Sequence, residues 1–278
     1  KFEALGGELL LNTTVSSIIV DKDTAVGVNL KNGTQMYGDY VISCLDANYT
    51  LKRLLLGQYS LNKIEKKINN PEKFPTPTCC ILSYAVKIDE NVNTPYSFNV
   101  DPFIIGGAKI DHITVRNYAY DKEFNRGDKT IMTVLIDQYS SNYEFWKKLR
   151  NSPIEYKKFK QDLGNFVKNR IIENLPQYKD NIELLDVATP TTLSRYTNTT
   201  RGAYMGFLLT PKVPGFSHNG RIHGLNNFYI GGQWMQSPGG LPIALACGKF
   251  AIQRICKKEH LSMMFKGQYT MLKKKTIK

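Results

Sequence analysis

The chain has 278 residues, enough for one large or two modest domains with a core that needs no disulfide or metal staples. Apolar residues make up 42% and charged residues 22%, which excludes general disorder, and no apolar run approaches the ~18 residues of a membrane-spanning helix. The formal net charge of +13 raises a nucleic-acid reading, but residues 142–170 carry +5 and residues 254–278 carry +7, so the charge belongs to one helical stretch and a tail.

The first fifteen residues lack a signal peptide's layout of basic start, apolar stretch and small-residue cleavage site. Five cysteines (Cys44, Cys79, Cys80, Cys247 and Cys256) are an odd number with no CxxC pair, and the four histidines lack metal-ligand spacing. A reducing, cytoplasmic setting without a metal site is expected.

Lys1–Leu5 reads as the last turn of a helix closed by Gly6-Gly7. Its start looks truncated, so the chain is expected to be a fragment. A short apolar stretch, Glu8–Leu11, precedes two strands, Val15–Val20 and Ala25–Leu30, joined by the polar turn Asp21-Lys22-Asp23. Asn32-Gly33 is a hairpin signal leading to Thr34–Tyr37, and Tyr40–Ser43 has the apolar character of a strand inside a sheet. Asn48 is placed to cap the next helix.

Residues 60–75 read as polar helix and loop, followed by a strand over Thr78–Ile88. Further strands are expected at His112–Ala119 and Thr130–Asp137, then helices over 142–150 and 153–175. In the second helix Ile154, Phe159, Leu163, Phe166, Val167, Ile171 and Leu175 recur at helical spacing, a core stripe. Ile182–Val187 is a strand and Thr189–Thr192 opens a short helix or turn. Residues 198–224 form a Gly- and Pro-rich loop, Asn227–Ile230 a strand, and Pro242–Lys257 a long helix before a frayed basic tail.

The richest chemistry lies in residues 227–248, NFYIGGQWMQSPGGLPIALACG. A buried strand runs into Gly231-Gly232, where something must approach the backbone closely. A loop with Trp234 leads through Pro238-Gly239-Gly240 into a helix with Pro242 in its first turn. The start of that helix offers unpaired N–H groups and the positive end of the helix dipole, suited to an anion or an electron-rich oxygen. Small residues at Ala244, Cys247, Gly248 and Ala251 allow close packing.

This string resembles the C-terminal flavin signature of the phytoene desaturase, carotenoid isomerase and retinol saturase group of FAD-dependent oxidoreductases. Gly231, Gly232, Trp234, Pro238, Gly239, Gly240, Leu241 and Pro242 fall on that pattern. Two further segments match in the same order. One is Gly7 to Asp46, through Val15, Ile18, Gly27, Val28, Asn32, Gly33, Asp39, Val41, Ile42 and Ser43. The other runs from Thr189 to Thr192, through Arg195-Tyr196-Thr197, to Gly202-Ala203 and Gly206-Phe207. The group's GxGxxG motif occurs nowhere in the chain, so the resemblance implies the C-terminal portion of a longer enzyme.

The resemblance implies a mixed α/β (α+β) fold, in which a partial Rossmann-like FAD/NAD(P)-binding domain lacks its N-terminal βαβ unit. Residues 1–50 and 186–258 would belong to that domain, 51–185 to a mixed-sheet substrate domain with helices, and 259–278 to a basic tail. FAD is the implied cofactor. Val15 would lend its backbone to the adenine, and Gly231, Gly232, Gln233, Trp234, Gly239, Gly240, Leu241 and Pro242 would hold the flavin. Arg195 and Tyr196 are candidates for substrate contact, and no acid–base pair is assigned. The implied reaction desaturates, isomerises or saturates C–C bonds of a polyene or other lipophilic molecule. The basic tail would make a peripheral membrane contact, and no nucleic acid is expected. The alternatives are an amine-oxidising flavoenzyme of the same superfamily and a basic nucleic-acid-binding module. For the latter the sequence shows no interleaved aromatic pattern.

Overall fold

The computed structural model describes residues 1–89, 95–211, 213–266 and 269–274, with side chains up to residue 262. In chain order the first elements are β1 (Val15–Asp21), β2 (Thr24–Leu30), β3 (Gln35–Tyr37), β4 (Val41–Ser43), α1 (Ala47–Tyr49) and α2 (Asn62–Ile68). Next come β5 (Pro77–Lys87), β6 (Tyr96–Ile105), β7 (Ala108–Asn117), β8 (Lys129–Tyr139), α3 (Tyr143–Arg150), α4 (Pro153–Asn174), β9 (Ile182–Ala188) and α5 (Pro190–Thr197). The last are β10 (Phe228–Ile230), α6 (Gly240–Lys258), β11 (Leu261–Lys266) and β12 (Tyr269–Lys274).

The chain divides into two compact units, one of residues 1–70 and 206–278 and the other of residues 71–205. These boundaries differ from those read off the sequence. Residues 51–70 stay with the first unit, where α2 buries Ile64 and Ile68 one turn apart. Residues 186–205 join the second, because β9 pairs with β5 from Val86↔Ile182 to Ile81↔Ala188.

In the first unit, β1, β2 and β3 form an antiparallel sheet in that order. Lys22 and Asp23 both take positive φ (43° and 62°) at the β1–β2 turn, the backbone twist a tight hairpin requires. The Asn32-Gly33 turn closes with Leu30 N donating to Thr34 O at 2.8 Å. Glu8–Leu11 forms no strand and leaves Leu9, Leu10 and Leu11 exposed. β4 and β10 pair in parallel, Val41 with Phe228 through Ser43 with Ile230. Asp46, rather than Asn48, caps α1 by accepting from Tyr49 N at 2.9 Å. The helix continues as a π-helical turn, Thr50–Leu54, whose Thr50 hydroxyl meets Ser43 Oγ at 2.7 Å in the interior.

In the second unit five antiparallel strands run in the order β6-β7-β8-β5-β9. β5 and β8 pair without interruption from Pro77↔Tyr139 to Lys87↔Lys129. Alternate residues Cys80, Leu82, Tyr84 and Val86 face inward with Met132, Val134 and Ile136 of β8. They share one core with Trp146 of α3 and with Leu163, Val167 and Ile171 of α4, part of the stripe visible in the sequence. Tyr84 anchors α4 to the sheet, its hydroxyl donating to Gly164 O at 2.8 Å.

Two elements depart from expectation. β6 is hidden in the sequence because Asp101-Pro102 breaks its pattern; the structure absorbs them in a register shift between Asn99 and Phe103. In the basic tail, expected to be frayed, the described residues Leu261–Lys266 and Tyr269–Lys274 pair as antiparallel strands β11 and β12, Leu261 with Lys274, and residues 275–278 lie outside the described residues. The tail's lysine-rich composition conceals a backbone pairing that composition cannot report. The class is mixed α/β. Parallel pairing among the described residues is limited to β4–β10 and a Thr24–Asn226 bridge, too little to make a Rossmann sheet by itself. Among the described residues no helix is long and apolar enough to cross a membrane.

Trp146 is fully buried, and its indole N–H donates to Gln138 Oε1 at 3.2 Å. Trp146→Ala is expected to destabilise the second unit by about 3–5 kcal/mol, read as a lower denaturant midpoint in equilibrium unfolding.

Candidate functional site

The parallel pair β4–β10 brings two chain segments to one sheet edge. Val41 N donates to Asn227 O at 2.9 Å and Gly231 N to Ser43 O at 2.8 Å, so both strands end together at Cys44 and Gly231. Ligands of open α/β sheets bind beyond such carboxyl ends. All three β10 residues are buried, so the strand is anchored on both faces before the glycines begin.

Beyond the edge the backbone is tightly confined. Gly232 has φ 86° and ψ −176°, a combination that L side chains rarely adopt. A short helical turn, Gln233–Met235, follows, and Gln233 Oε1 accepts from Gly240 N at 3.2 Å. That bond makes Gln233 the cap of α6, across the intervening Pro238-Gly239 corner. Gly239 has φ 86°, and a Cβ there would lie 2.3 Å from Gly206 N. Two stretches of backbone therefore cross at Gly206 and Gly239 without room for a side chain.

A further segment closes the loop from the other side. Ser237 N donates to Phe216 O at 2.9 Å, His218 N to Met235 O at 2.7 Å, and Ile230 N to Gly220 O at 2.8 Å. Trp234 is 2% exposed and meets Phe207 edge-on with ring centroids 5.4 Å apart. Its indole Nε1 is buried and has no hydrogen-bond partner.

A profile of the family described as flavin containing amine oxidoreductase matches residues 1–256. The chain belongs to this family of flavin-containing oxidoreductases. It is 31% identical over 160 residues to an all-trans-retinol 13,14-reductase from Danio rerio, covering 54% of the chain and 26% of that protein. It is 40% identical over 67 residues to a neurosporene-forming phytoene desaturase from Rhodobacter capsulatus, covering 22% of the chain and 13% of that protein. A solved oxidoreductase structure from Methanosarcina mazei superposes with a TM-score of 0.53 at 15% identity, over 91% of the chain and 51% of that structure. At that identity the likeness is one of fold. The flavoenzyme chain thus spans about a quarter of the retinol reductase and about half of the solved structure.

The glycine-rich segment has a feature that fits a bound cofactor with a hydrogen-bond acceptor. An orphaned buried donor costs about 1–3 kcal/mol, and Trp234 Nε1 is such a donor within the glycine-rich segment. Gly231, Gly232, Gln233, Trp234, Gly239, Gly240, Leu241 and Pro242 are brought together at one edge, with Leu241 and Pro242 exposed in the first turn of α6. Val15 opens β1, half-buried and in register with Leu30. Arg195 and Tyr196 belong to α5 of the second unit, where the guanidinium stacks over its neighbour's ring at 4.4 Å and Tyr196 is exposed.

Sequence reasoning missed Phe216, His218 and Gly220 as parts of the loop's support. They sit in a segment that reads only as Gly- and Pro-rich, and no local signal marks which of its residues fold back. The Gly206-Phe207 pair was visible in the sequence, but its crossing with Gly239 was not.

His218 is held neutral by its surroundings. Burial lowers its pKa from 6.5, and the charges of Lys63 and Arg254 add to the effect. Its Nδ1 accepts from Gly220 N at 3.0 Å, which requires the unprotonated nitrogen. Burial pushes the Cys44 thiol up from 9.0, so this neighbour of the glycines stays a thiol rather than a thiolate.

Two outcomes follow from this geometry. Gly239→Ala is expected to cost more stability than Gly224→Ala in urea unfolding, by about 1–3 kcal/mol, since both have positive φ but only Gly239 faces another backbone. A histidine with a depressed folded-state pKa binds fewer protons folded than unfolded, so stability falls as the pH drops below 6.5 toward that pKa. His218→Gln is expected to flatten this slope in pH-dependent thermal unfolding.

Proposed function

We propose that the chain forms the flavin-holding C-terminal portion of an FAD-dependent oxidoreductase that acts on C–C bonds of a polyene or similarly lipophilic substrate. The observation that carries the reading is the folded form of residues 227–248: a buried parallel strand, a glycine step, an orphaned indole donor and a capped helix start. The retinol reductase and phytoene desaturase similarities supply the substrate class.

When bound, FAD would exchange a hydride or an electron pair with the substrate. The protein's own groups bind and tune. Gly231 and Gly232 keep the backbone bare of side chains where the cofactor would approach. Gln233 holds the first turn of α6, whose positive end favours negative charge nearby. Trp234 offers its unused N–H to a cofactor acceptor. Val15 would contribute backbone contacts to the adenine. No GxGxxG occurs in these residues, so the reading calls for a βαβ unit upstream to cradle the pyrophosphate and complete a Rossmann-like domain.

On this reading the first unit binds the cofactor and the second the substrate. The face of the five-stranded sheet opposite its core carries the pairs Ile81–Leu135 and Ala85–Ile131, separated by Ser83–Thr133, a largely apolar surface apt for an apolar chain. Oxidation of a C–N bond is the second reading, favoured by the family's own description. The retinol and phytoene enzymes among the relatives favour the first.

The test uses the full-length protein. It is expected to purify yellow, release FAD on denaturation and convert a polyene rather than an alkylamine. Trp234→Phe is expected to weaken FAD binding about three- to tenfold, the worth of one lost hydrogen bond. A colourless full-length protein that takes up no added flavin would overturn the assignment, and turnover of amines alone would replace it with the second reading.

A further inference from the structure

The C-terminal end of α6 lies about 27 Å from its start at the glycine segment, at 1.5 Å per residue. Beside it opens a cleft of about 570 Å³ that the flavin reading does not use. Arg254, Lys257 and Lys258 line it from the helix, Arg221 from the loop before β10, and His260 from just beyond the helix. Tyr229, also in the lining, is 5% exposed and sits on β10.

The cleft is built rather than left over from a frayed helix end. Arg221 N donates to Asn219 Oδ1 at 3.0 Å, and the neighbouring Gly220 carbonyl accepts from Ile230 N at 2.8 Å, so the loop that carries Arg221 is pinned to β10. Arg254 stands three and four residues before Lys257 and Lys258, on one helical face. Cations at a helix C-terminus offset its dipole, which accounts for Lys257 and Lys258 but not for Arg221.

These charges also form none of the ion pairs that lysines and arginines form elsewhere in the chain, although Arg254 lies 6.0 Å from the Phe250 ring centroid. Lys52 pairs with Glu65, Lys158 with Asp162, and Lys160 with Asp186. Among the described residues no carboxylate forms an ion pair with the cations of the cleft. Two carboxylates stand nearby without forming an ion pair with these cations: Glu259 accepts from the Tyr40 hydroxyl, and Asp39 is the residue before Tyr40, its main-chain oxygen accepting from Asn227 Nδ2 at 2.9 Å. Lys258 donates to Asn227 Oδ1 and lies 5.2 Å from the Tyr40 ring centroid. Four permanent cations gathered in a concavity repel one another unless an anion joins them.

We propose that this cleft is a binding site for a phosphate group carrying at least two negative charges, a site separate from the flavin segment. Forked guanidinium donors from Arg221 and Arg254, with lysines as point charges, suit phosphate oxygens. The volume admits more than the phosphate itself, so the group would arrive on a larger molecule, either a lipid headgroup or a soluble phosphate compound.

Inorganic pyrophosphate titrated by calorimetry into the full-length protein tests the site, and vesicles identify the source. Arg221→Ser with Lys257→Ser is expected to weaken pyrophosphate binding at least tenfold. Lys148→Ser with Lys157→Ser, an equal loss of charge on α3 and α4, should change it less than twofold. Arg221→Lys with Lys257→Arg should retain binding within a few fold, which separates lost charge from lost folding, and Trp234→Phe should leave it unchanged. If the wild type sediments with phosphatidylcholine vesicles containing phosphatidic acid, but not with plain ones, and the cleft variant does not, the source is a lipid headgroup. Pyrophosphate binding without any vesicle difference assigns a soluble compound. Absence of pyrophosphate binding, or equal weakening by the cleft and control pairs, would overturn the proposal.

Discussion

The organisation of the first unit depends on one short pairing, three residues of β4 in parallel with three of β10. Buried backbone N–H and C=O groups must find partners, and here they find them across about two-thirds of the chain's length. The pairing sets the sheet edge at which Cys44 and Gly231 end together. It also determines where the glycine loop starts and thus where α6 can begin. The segment 216–220 then hydrogen-bonds back onto both β10 and the loop. The site is therefore a product of backbone pairing more than of side-chain chemistry, and its glycines are needed because backbones cross there.

The second unit is built on different terms. Its five strands are antiparallel, and four of them, β5 to β8, are consecutive in the chain. Its core follows simple alternation, with even-numbered residues of β5 and β8 turned toward α3 and α4. Alternation of this kind is readable within a strand such as β5 or β8, though not in β6, whereas the three-residue parallel pair of the first unit closes only when the chain returns after more than a hundred residues. The second unit occupies the interval between departure and return. This nesting explains why Gly7–Asp46 and the glycine string from Gly231, far apart in the sequence, belong to one body, while the segment Thr189–Ala203 belongs to the other.

Charge follows the same division. On α4 of the second unit the lysines and arginines are largely distributed over solvent, several of them paired with carboxylates on the same helix or on β9. At the end of α6 they converge instead on one cleft. A net charge of +13 therefore describes two unlike situations, a solvated helical face and a concentrated positive concavity, which a sum over the chain cannot distinguish.

Much of this was legible in the sequence, because the signals were local. Alternation in Thr78–Ile88, the helical stripe from Leu163 to Ile171, the turn at Asn32-Gly33 and the glycine string from Gly231 to Gly240 each encode their own backbone state within a few residues. The family resemblance rested on the last two of these, the turn as part of Gly7–Asp46, and on the segment from Thr189 to Phe207. What only the tertiary structure decided was every relation between distant residues. It placed Gly206 against Gly239 and turned Phe216 and His218 toward the loop. It moved residues 186–205 into the second unit through pairing with β5, and paired β11 with β12 in the tail. It also gathered Arg221 with Arg254 and Lys257, which stand more than thirty residues apart in the sequence. The physical reason is common to all of these. A residue's local conformation is set by its immediate neighbours, but its partners are set by which long-range backbone pairing satisfies the buried hydrogen bonds, and that choice leaves no periodicity in the sequence to read.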